Sequence, residues 1–265
     1  MTTKLIRRLA PALAVALIGG ALCGLDGGAA RAALLYDQNV TPDVIFGAGN
    51  ANGGFTVDRE NGVELGLRGK VRFDSNGQAQ NIFNSNGAGT YTFPSGEYNN
   101  NGRPLWNFEW SINSNWDGNG DVIGNYNYVL SLDTDPSAGT FFGIAFDPIH
   151  IAVFDHAFGD NGTSNGGGTV GNAGNYANLL LTTNVAQNSW AYTWFVFGMD
   201  PNVNGTYTIQ LSAYDPNNNN ALVASTSIDV VTTPIPSALA LLATGLGLLG
   251  FAGRKRIEAG AKNAA

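Results

Sequence analysis

The sequence predicts an all-β fold, an antiparallel β-sandwich of the jelly-roll type with about ten strands. Apolar residues recur at every second position in several stretches, which is the period of a half-buried strand. Clusters of asparagine and glycine, which accept turn conformations, separate these stretches. No convincing amphipathic helix is predicted outside the two terminal segments. No repeat of fixed length indicates a solenoid or a propeller.

Four ladders of alternating apolar residues are expected to form core strands. In the first ladder, Val63, Leu65 and Leu67 share one face, and charged residues that include Arg68 and Lys70 lie on the other. The other three ladders run over Trp106–Ile112, Tyr126–Leu132 and Tyr207–Ala213. Two sheets can bury such apolar faces against each other, so a sandwich is the expected arrangement.

Two further stretches, Thr140–Phe146 and Trp190–Phe197, are apolar on both faces. This pattern predicts strands that are buried between layers. Of the five tryptophans, four lie at alternating strand positions and are expected mainly in the core: Trp106, Trp110, Trp190 and Trp194.

Residues 1–32 have the three parts of a secretory signal peptide. Lys4, Arg7 and Arg8 form a positive start, and Leu9–Leu22 is apolar. Small residues at positions 30 and 32 predict cleavage between Ala32 and Ala33. The chain's only cysteine, Cys23, lies inside this segment. The mature protein is therefore expected to be exported and to depend on core burial, without disulfides, for its stability.

Residues 33–232 form the predicted β-sandwich domain. They contain five basic and eighteen acidic residues, a formal charge of −13, against −7 for the whole chain. Such a surface repels nucleic acid and attracts divalent cations. A nucleic-acid partner is therefore excluded, and the acidic, asparagine-rich composition suits a hydrated polysaccharide environment.

The C-terminal region, residues 233–258, combines three features in order. A proline-bracketed motif comes first: Pro234, Ile235, Pro236, Ser237 and Ala238. An uncharged apolar run over Ser237–Gly253 predicts a hydrophobic helix slightly short of a comfortable membrane span. A basic cluster follows: Arg254, Lys255 and Arg256. A short tail, residues 259–265, ends the chain. The simplest interpretation is a plain membrane anchor with its basic residues on the cytoplasmic side.

This order of features resembles the PEP-CTERM protein-sorting signal, most closely its variant with a Val-Pro-Leu-Pro-Ala core. Ile235 stands where the main form has glutamate, which places the chain with the variant. The resemblance implies export from a Gram-negative bacterium, transient tethering in the inner membrane and recognition by an exosortase-type processing enzyme. It also implies removal of the tail and delivery to the cell surface or to an exopolysaccharide matrix.

Residues suited to catalysis are scarce. The body has no cysteine and one lysine, and its two histidines, His150 and His156, lie near Asp147 and Asp155. Imidazole and carboxylate groups bind transition metals, but this spacing matches no known ligand pattern. Both histidines are therefore expected at the surface or at strand ends, and the chain is expected not to be an enzyme.

Two loops have the alternate oxygen-bearing residues that calcium prefers. One contains Asp117, Asn119 and Asp121, and the other contains Asp200, Asn202 and Asn204. Neither has the glutamate that completes an EF-hand. A calcium site is weighed against the simpler interpretation, a turn closed by asparagine and aspartate side chains. No other cofactor is predicted.

Trp116 is the one tryptophan in a polar stretch, between Asn115 and Asp117. An exposed indole beside amide and carboxylate groups could stack on a sugar ring, which makes Trp116 a candidate glycan contact. Three functions follow. The leading one is a non-catalytic structural or interaction protein of the surface or matrix; the second is a carbohydrate-binding module; the third is a hydrolase with paired carboxylates.

Overall fold

The computed structural model describes residues 32–72, 80–150 and 155–234. The predicted all-β sandwich is confirmed: fourteen strands occur in these residues, and ten of them have four residues or more. The strands are β1 Leu35–Gln38, β2 Phe55–Glu60, β3 Val63–Val71, β4 Thr90–Pro94, β5 Glu97–Tyr98, β6 Arg103–Pro104, β7 Trp106–Asn113, β8 Asn127–Asp133, β9 Phe142–Phe146, β10 Ala157–Gly159, β11 Thr169–Val170, β12 Val185–Trp190, β13 Gly205–Asp215 and β14 Ala221–Thr233. One α-helix, α1, spans Tyr176–Thr182, and two 3-10 helices span Ile123–Asn125 and Tyr192–Trp194.

The strands form two main sheets that face each other. The larger sheet has the order β1-β2-β3-β7-β12-β10-β11, and the smaller has the order β4-β14-β13-β8-β9. All neighbours are antiparallel except β14 and β4, which are parallel. Strands β5 and β6 form a separate pair. The chain crosses repeatedly from one sheet to the other, as expected of a jelly-roll-like arrangement.

The inner faces of the two sheets form the core with the predicted ladders. Leu65 and Leu67 of β3 and Trp106 and Trp110 of β7 are buried. The ring of Trp106 lies 6.3 Å from that of Tyr207 on β13, so aromatic side chains join the two sheets. Each large aromatic residue buries about 150–250 Å². Burial at about 25 cal/mol per Å² is the main stabilising term for a body that has no cysteine.

The outer face of the larger sheet is covered by a segment that we call the strap, residues 40–54. The strap carries Val40, Val44 and Ile45 as buried residues. Beneath it, charged and polar residues of β3, β7 and β12 are also buried: Glu64, Arg68, Lys70, Glu109, Ser111, Asn113 and Gln187. The charged face of the first ladder therefore faces a third layer of backbone and not solvent.

The polar side chains under the strap hold its backbone. Arg68 donates to the carbonyls of Ala51 and Gly53 at 2.9 and 2.6 Å. Glu64 accepts from the amide of Thr41 at 2.6 Å, and Gln187 accepts from the amide of Ile45 at 2.8 Å. Because buried polar groups need hydrogen-bond partners, each of these side chains fixes one point of the strap.

Two predicted buried strands differ from the structure. The stretch Thr140–Phe146 contains β9, but β9 is an edge strand that pairs only with β8, so Phe142 is exposed. In Trp190–Phe197 the strand ends at Trp190 and a 3-10 helix follows. There, Tyr192 and Val196 are buried whereas Trp194 and Phe197 are exposed. This spacing of four is the period of a helical turn, and the expected burial of Trp194 is wrong.

The expectation that the body has no amphipathic helix is also wrong. Helix α1 is seven residues long, and it buries Tyr176 and Leu179 while Leu181 is exposed. Two turns of helix contain too few apolar positions to establish a helical period in a sequence. Its stability comes from packing, because isolated helices of this length do not form in water.

Candidate functional site

A groove at one end of the sandwich lies beside the loop that carries the predicted site residues Trp116 and Asp121, although no predicted site residue lines it. Its volume is about 240 Å³, and we call it the loop-end groove. It is lined by Asn61, Tyr126, Asp215, Asn218, Ala221, Leu222 and Val223. Three chain segments build it: the β2–β3 turn, the segment before β8, and the β13–β14 turn.

The β2–β3 turn is a two-residue hairpin of Asn61 and Gly62. Both residues have positive φ, 48° and 83°, as the tight hairpin turn between twisted strands requires. The Asn61 side chain donates to the carbonyl of Val223 at 2.9 Å and so ties the turn to β14. The Gly62 carbonyl accepts from the amide of Trp116 at 3.0 Å. This turn therefore joins the groove to the loop that carries the predicted glycan contact.

Trp116 lies on the surface beside the groove. Its side chain is 39% exposed, and the guanidinium of Arg59 lies 5.4 Å from the ring centroid. A cation–π contact of this kind restrains the indole without burying it. The predicted position of Trp116 in an exposed polar loop agrees with this placement.

Tyr126 supplies a phenol to the groove. Its hydroxyl donates to Asp121 at 2.7 Å. Burial raises the pKa of Tyr126 well above its usual value, and the nearby charges of Asp121 and Asp215 act in the same direction. The phenol is therefore neutral at any physiological pH and remains a hydrogen-bond donor.

The first predicted calcium loop borders the same end of the molecule. Asp117 accepts from the amide of Asn119 at 3.1 Å, and Asn119 accepts from the amide of Asp121 at 2.8 Å. Asp121 also accepts from Asn125 at 2.9 Å. The first two bonds form Asx turns, in which the side chain takes the place of a backbone carbonyl. The geometry matches the simpler interpretation of the loop, and calcium binding there stays a prediction.

The second predicted calcium loop lies at the opposite end of β13. Asp200 accepts from the backbone and side-chain nitrogens of Asn202 at 2.9 and 3.1 Å. Asn204 immediately precedes β13 and is exposed. The eleven residues of β13 separate the two loops by roughly 35 Å. Among the described residues, no group of three or more His, Cys, Asp or Glu is placed to hold a metal ion.

The Asp200 loop borders a larger pocket of about 320 Å³. Apolar residues dominate its walls, among them Ile144, Val196 and Met199. Phe197 stands at this pocket with 89% of its surface exposed. An apolar lining fits a polyhydroxylated ligand less well than the amide, carboxylate and phenol groups of the loop-end groove.

The two histidines have different environments and do not form a joint site. His150 is exposed, as predicted, and its ring contacts Asp147 at 2.8 Å, which raises its pKa. His156 directly precedes β10 and is fully buried, so of the two expected positions, the surface or a strand end, it occupies a strand end inside the core. Its ring packs 5.1 Å from that of Trp110 and bonds to Asn188 at 2.9 Å. Burial lowers the pKa of His156 to about 4, so it is a neutral core residue.

The predicted processing points lie at the ends of the described chain. Ala32, Ala33 and Pro234 are exposed and outside regular structure. The rest of the signal peptide and of the sorting signal lies outside the described residues: Ile235, Pro236, Ser237, Ala238, Arg254, Lys255, Arg256 and the apolar run. Within residues 32–72, 80–150 and 155–234, no helix is long and apolar enough to cross a membrane. No protein-family model, curated protein or solved structure matches this chain.

Proposed function

We propose that the chain is an exported, non-catalytic protein of the cell surface or exopolysaccharide matrix, processed by an exosortase-type membrane enzyme. The observation that carries the proposal is the order of the Pro-Ile-Pro-Ser-Ala motif, the apolar run and the basic cluster, opposite a cleavable signal peptide. The acidic, lysine-poor body supports it, since such a surface stays hydrated and avoids anionic partners.

The positions of the processing points are compatible with this route. Cleavage before Ala33 removes nothing from β1, which begins at Leu35. Removal of the chain from Pro234 onward removes nothing from β14, which ends at Thr233. Because every strand of the described residues lies between the two points, processing at both ends leaves these hydrogen-bonded sheets complete.

The test is fractionation of a Gram-negative host that has an exosortase. We expect deletion of residues 234–265 to move the protein from the surface or matrix fraction to the periplasm or medium. Replacement of Arg254, Lys255 and Arg256 by alanine is expected to impair sorting as well. The matched control is Lys262→Ala, which removes a positive charge outside the signal. An unchanged location of the truncated chain would exclude this role.

A second function, glycan binding at the loop-end groove, has its own structural support. The groove offers a carboxylate from Asp215, amides from Asn61 and Asn218, and the neutral phenol of Tyr126. Sugar hydroxyls donate to carboxylates and accept from amides, while an exposed ring such as that of Trp116 stacks on the sugar face. In this role the protein attaches to the matrix polysaccharide, so the two proposed functions are compatible.

The test of glycan binding is a pull-down with exopolysaccharide from the producing cells. We expect Trp116→Ala to weaken binding several-fold, because ring stacking contributes about 1 kcal/mol. Trp194→Ala is the matched control, since Trp194 is 44% exposed but lies beyond the opposite end of β7. Equal binding by the two variants would show that Trp116 is not part of the glycan site.

A further inference from the structure

Lys70 is the only lysine between Ala33 and Thr232, and it is fully buried. It lies on β3, facing the strap. In the register of β3 with β7, Arg68 is opposite Glu109 and Lys70 is opposite Asn107. Lys70 and Glu109 are therefore diagonal neighbours on one face of the sheet, within reach of each other's side chains.

The Lys70 amine meets an amide and a carboxylate. Its Nζ donates a hydrogen bond to Oδ1 of Asn50 in the strap. It also lies 3.5 Å from Oε1 of Glu109. The other carboxylate oxygen, Oε2, binds Arg68 through Nε at 2.6 Å and Nη2 at 2.5 Å. Oε1 is buried and has no hydrogen-bond partner among the described residues. It is therefore placed to exchange a proton with Lys70.

The Asn50 amide is held in one orientation. Its Nδ2 donates to the carbonyls of Phe46 and Gly47 at 2.9 and 3.1 Å. Its backbone carbonyl accepts from Asn165 at 2.6 Å, which fixes the strap at this residue. The carbonyl side of the amide therefore faces Lys70, and the Nδ2 group points away from it. A nucleophile and its carbonyl carbon are thus held together in the folded chain.

The charges around Lys70 do not balance. Arg68 and Lys70 contribute two positive charges, and among the described residues Glu109 is the one carboxylate that forms an ion pair with them, because Glu64 is paired with Arg59. An uncompensated buried charge is costly. Burial accordingly lowers the pKa of Lys70, and the positive charges of Arg68 and Arg72 lower it further, against the opposing effect of Glu109. A lowered pKa favours the neutral, nucleophilic amine.

We propose that Lys70 and Asn50 form an intramolecular isopeptide bond, with Glu109 as the proton acceptor and donor. In the first step the ammonium of Lys70 gives one proton to Glu109. The amine lone pair then attacks Cγ of Asn50, and the new Nζ–Cγ bond forms a tetrahedral intermediate. As this collapses, the Cγ–Nδ2 bond breaks. The leaving nitrogen keeps its own two hydrogens, takes the proton held by Glu109 and one from Nζ, and departs as ammonium, while Nζ keeps one hydrogen in the new amide.

The reaction balances without an oxidant or a cofactor. Lysine ammonium and asparagine amide give a secondary amide and one ammonium ion, and Glu109 returns to its carboxylate form. The product removes the unmatched positive charge, because Arg68 and Glu109 then remain as a one-to-one pair. It also ties the strap covalently to β3 in a body without cysteine. The inference does not depend on the proposed function.

Mass spectrometry of the full chain, purified after expression, tests the bond. We expect the intact mass to fall short of the sequence mass by one ammonia. Trypsin should fail to cleave after Lys70 in the denatured protein. It should release a branched peptide in which residues 69–72 are joined to the peptide that ends at Arg59 and contains Asn50. Fragmentation of that peptide locates the link.

Three variants separate the bond from other losses of ammonia, such as succinimide formation at Asn-Gly sequences. Lys70→Met and Glu109→Gln should restore the full mass, and circular dichroism should confirm that each is folded. Asn50→Asp should lose water in place of ammonia. Succinimide formation at any of the remaining asparagines would still release ammonia, so it would not produce this result. A folded chain of full mass that trypsin cleaves after Lys70 would overturn the proposal, as would an unchanged ammonia loss in Lys70→Met.

Discussion

At the residue scale, the two histidines illustrate how the environment sets protonation. His150 is hydrogen-bonded to the Asp147 carboxylate, which stabilises the imidazolium and raises its pKa against the opposing effect of partial burial. His156 lies among Trp110, Trp190 and Tyr176, where a charged ring loses its hydration, so its pKa falls to about 4 from 6.5. In the sequence the two histidines are six positions apart and are equally plausible as metal ligands.

The lowered pKa of His156 predicts a pH-dependent stability. Between about pH 6.5 and pH 4 the unfolded chain holds a proton on this ring and the folded chain does not. The free energy of unfolding should therefore decrease as the pH falls through this range, by about 3 kcal/mol from His156. In His156→Phe, which keeps a ring but cannot titrate, this part of the decrease should disappear.

The measurement is urea unfolding of both chains at pH 7.5 and at about pH 4.5. Carboxylates titrate in both proteins, so the difference between the two pH dependences isolates His156. If the free energy of unfolding falls by the same amount in both chains, His156 is already charged in the folded state or accessible to water.

At the scale of elements, β3 is the centre of the molecule because it packs on both faces. Leu65 and Leu67 face the second sheet, and Arg68 and Lys70 face the strap. Its glycines allow close approach on each side. A Cβ at Gly66 would lie 2.7 Å from Val40 of the strap, and one at Gly69 would lie 2.7 Å from Phe93 of β4.

Gly69→Ala tests the packing of β3 against the second sheet. The added methyl group would meet Phe93 at 2.7 Å and Tyr91 at 2.9 Å, both of which are buried and cannot move aside. We expect a loss of about 1–3 kcal/mol in the free energy of unfolding, the usual cost of overpacking a core. Gly139→Ala, where the nearest atom is 4.0 Å away, should change stability little. Equal stability of the two variants in urea would show that Phe93 and Tyr91 of β4 can move to accommodate the added methyl group.

At the scale of the whole molecule, the surface and the interior carry different charged residues. Most acidic residues lie in exposed or half-buried turns and strand ends, while both charges of the Arg68–Glu109 pair and the only lysine of the body lie inside. The exposed and half-buried residues that the structure describes include thirteen acidic and three basic side chains, so the surface is strongly acidic. Such a surface stays hydrated and repels other anionic polymers.

The alternation of apolar and polar residues along the sequence was sufficient to predict much of this fold. The period of two identified the ladders of β3, β7, β8 and β13, because the pleat of a strand places alternate residues on opposite faces. It failed for Trp190–Phe197 and for α1, because short apolar stretches do not distinguish a strand from a helical turn. The exposed position of Trp116 followed from its polar neighbours, but its proximity to the Asp215 turn did not, since about a hundred residues separate them.

The sequence by itself determined the all-β class, the inner faces of β3, β7, β8 and β13, the acidity of the body and the order of features at both termini. These depend on neighbouring residues and on composition, which a chain carries without folding. Only the tertiary structure decided what covers the other face of β3, because the strap reaches it from a separate stretch of the chain. Alternation shows that Lys70 faces away from the core, but not that Asn50 and Glu109 surround it there. That arrangement requires the register of β3 with β7 and the path of the strap, which arise only when distant segments pack together.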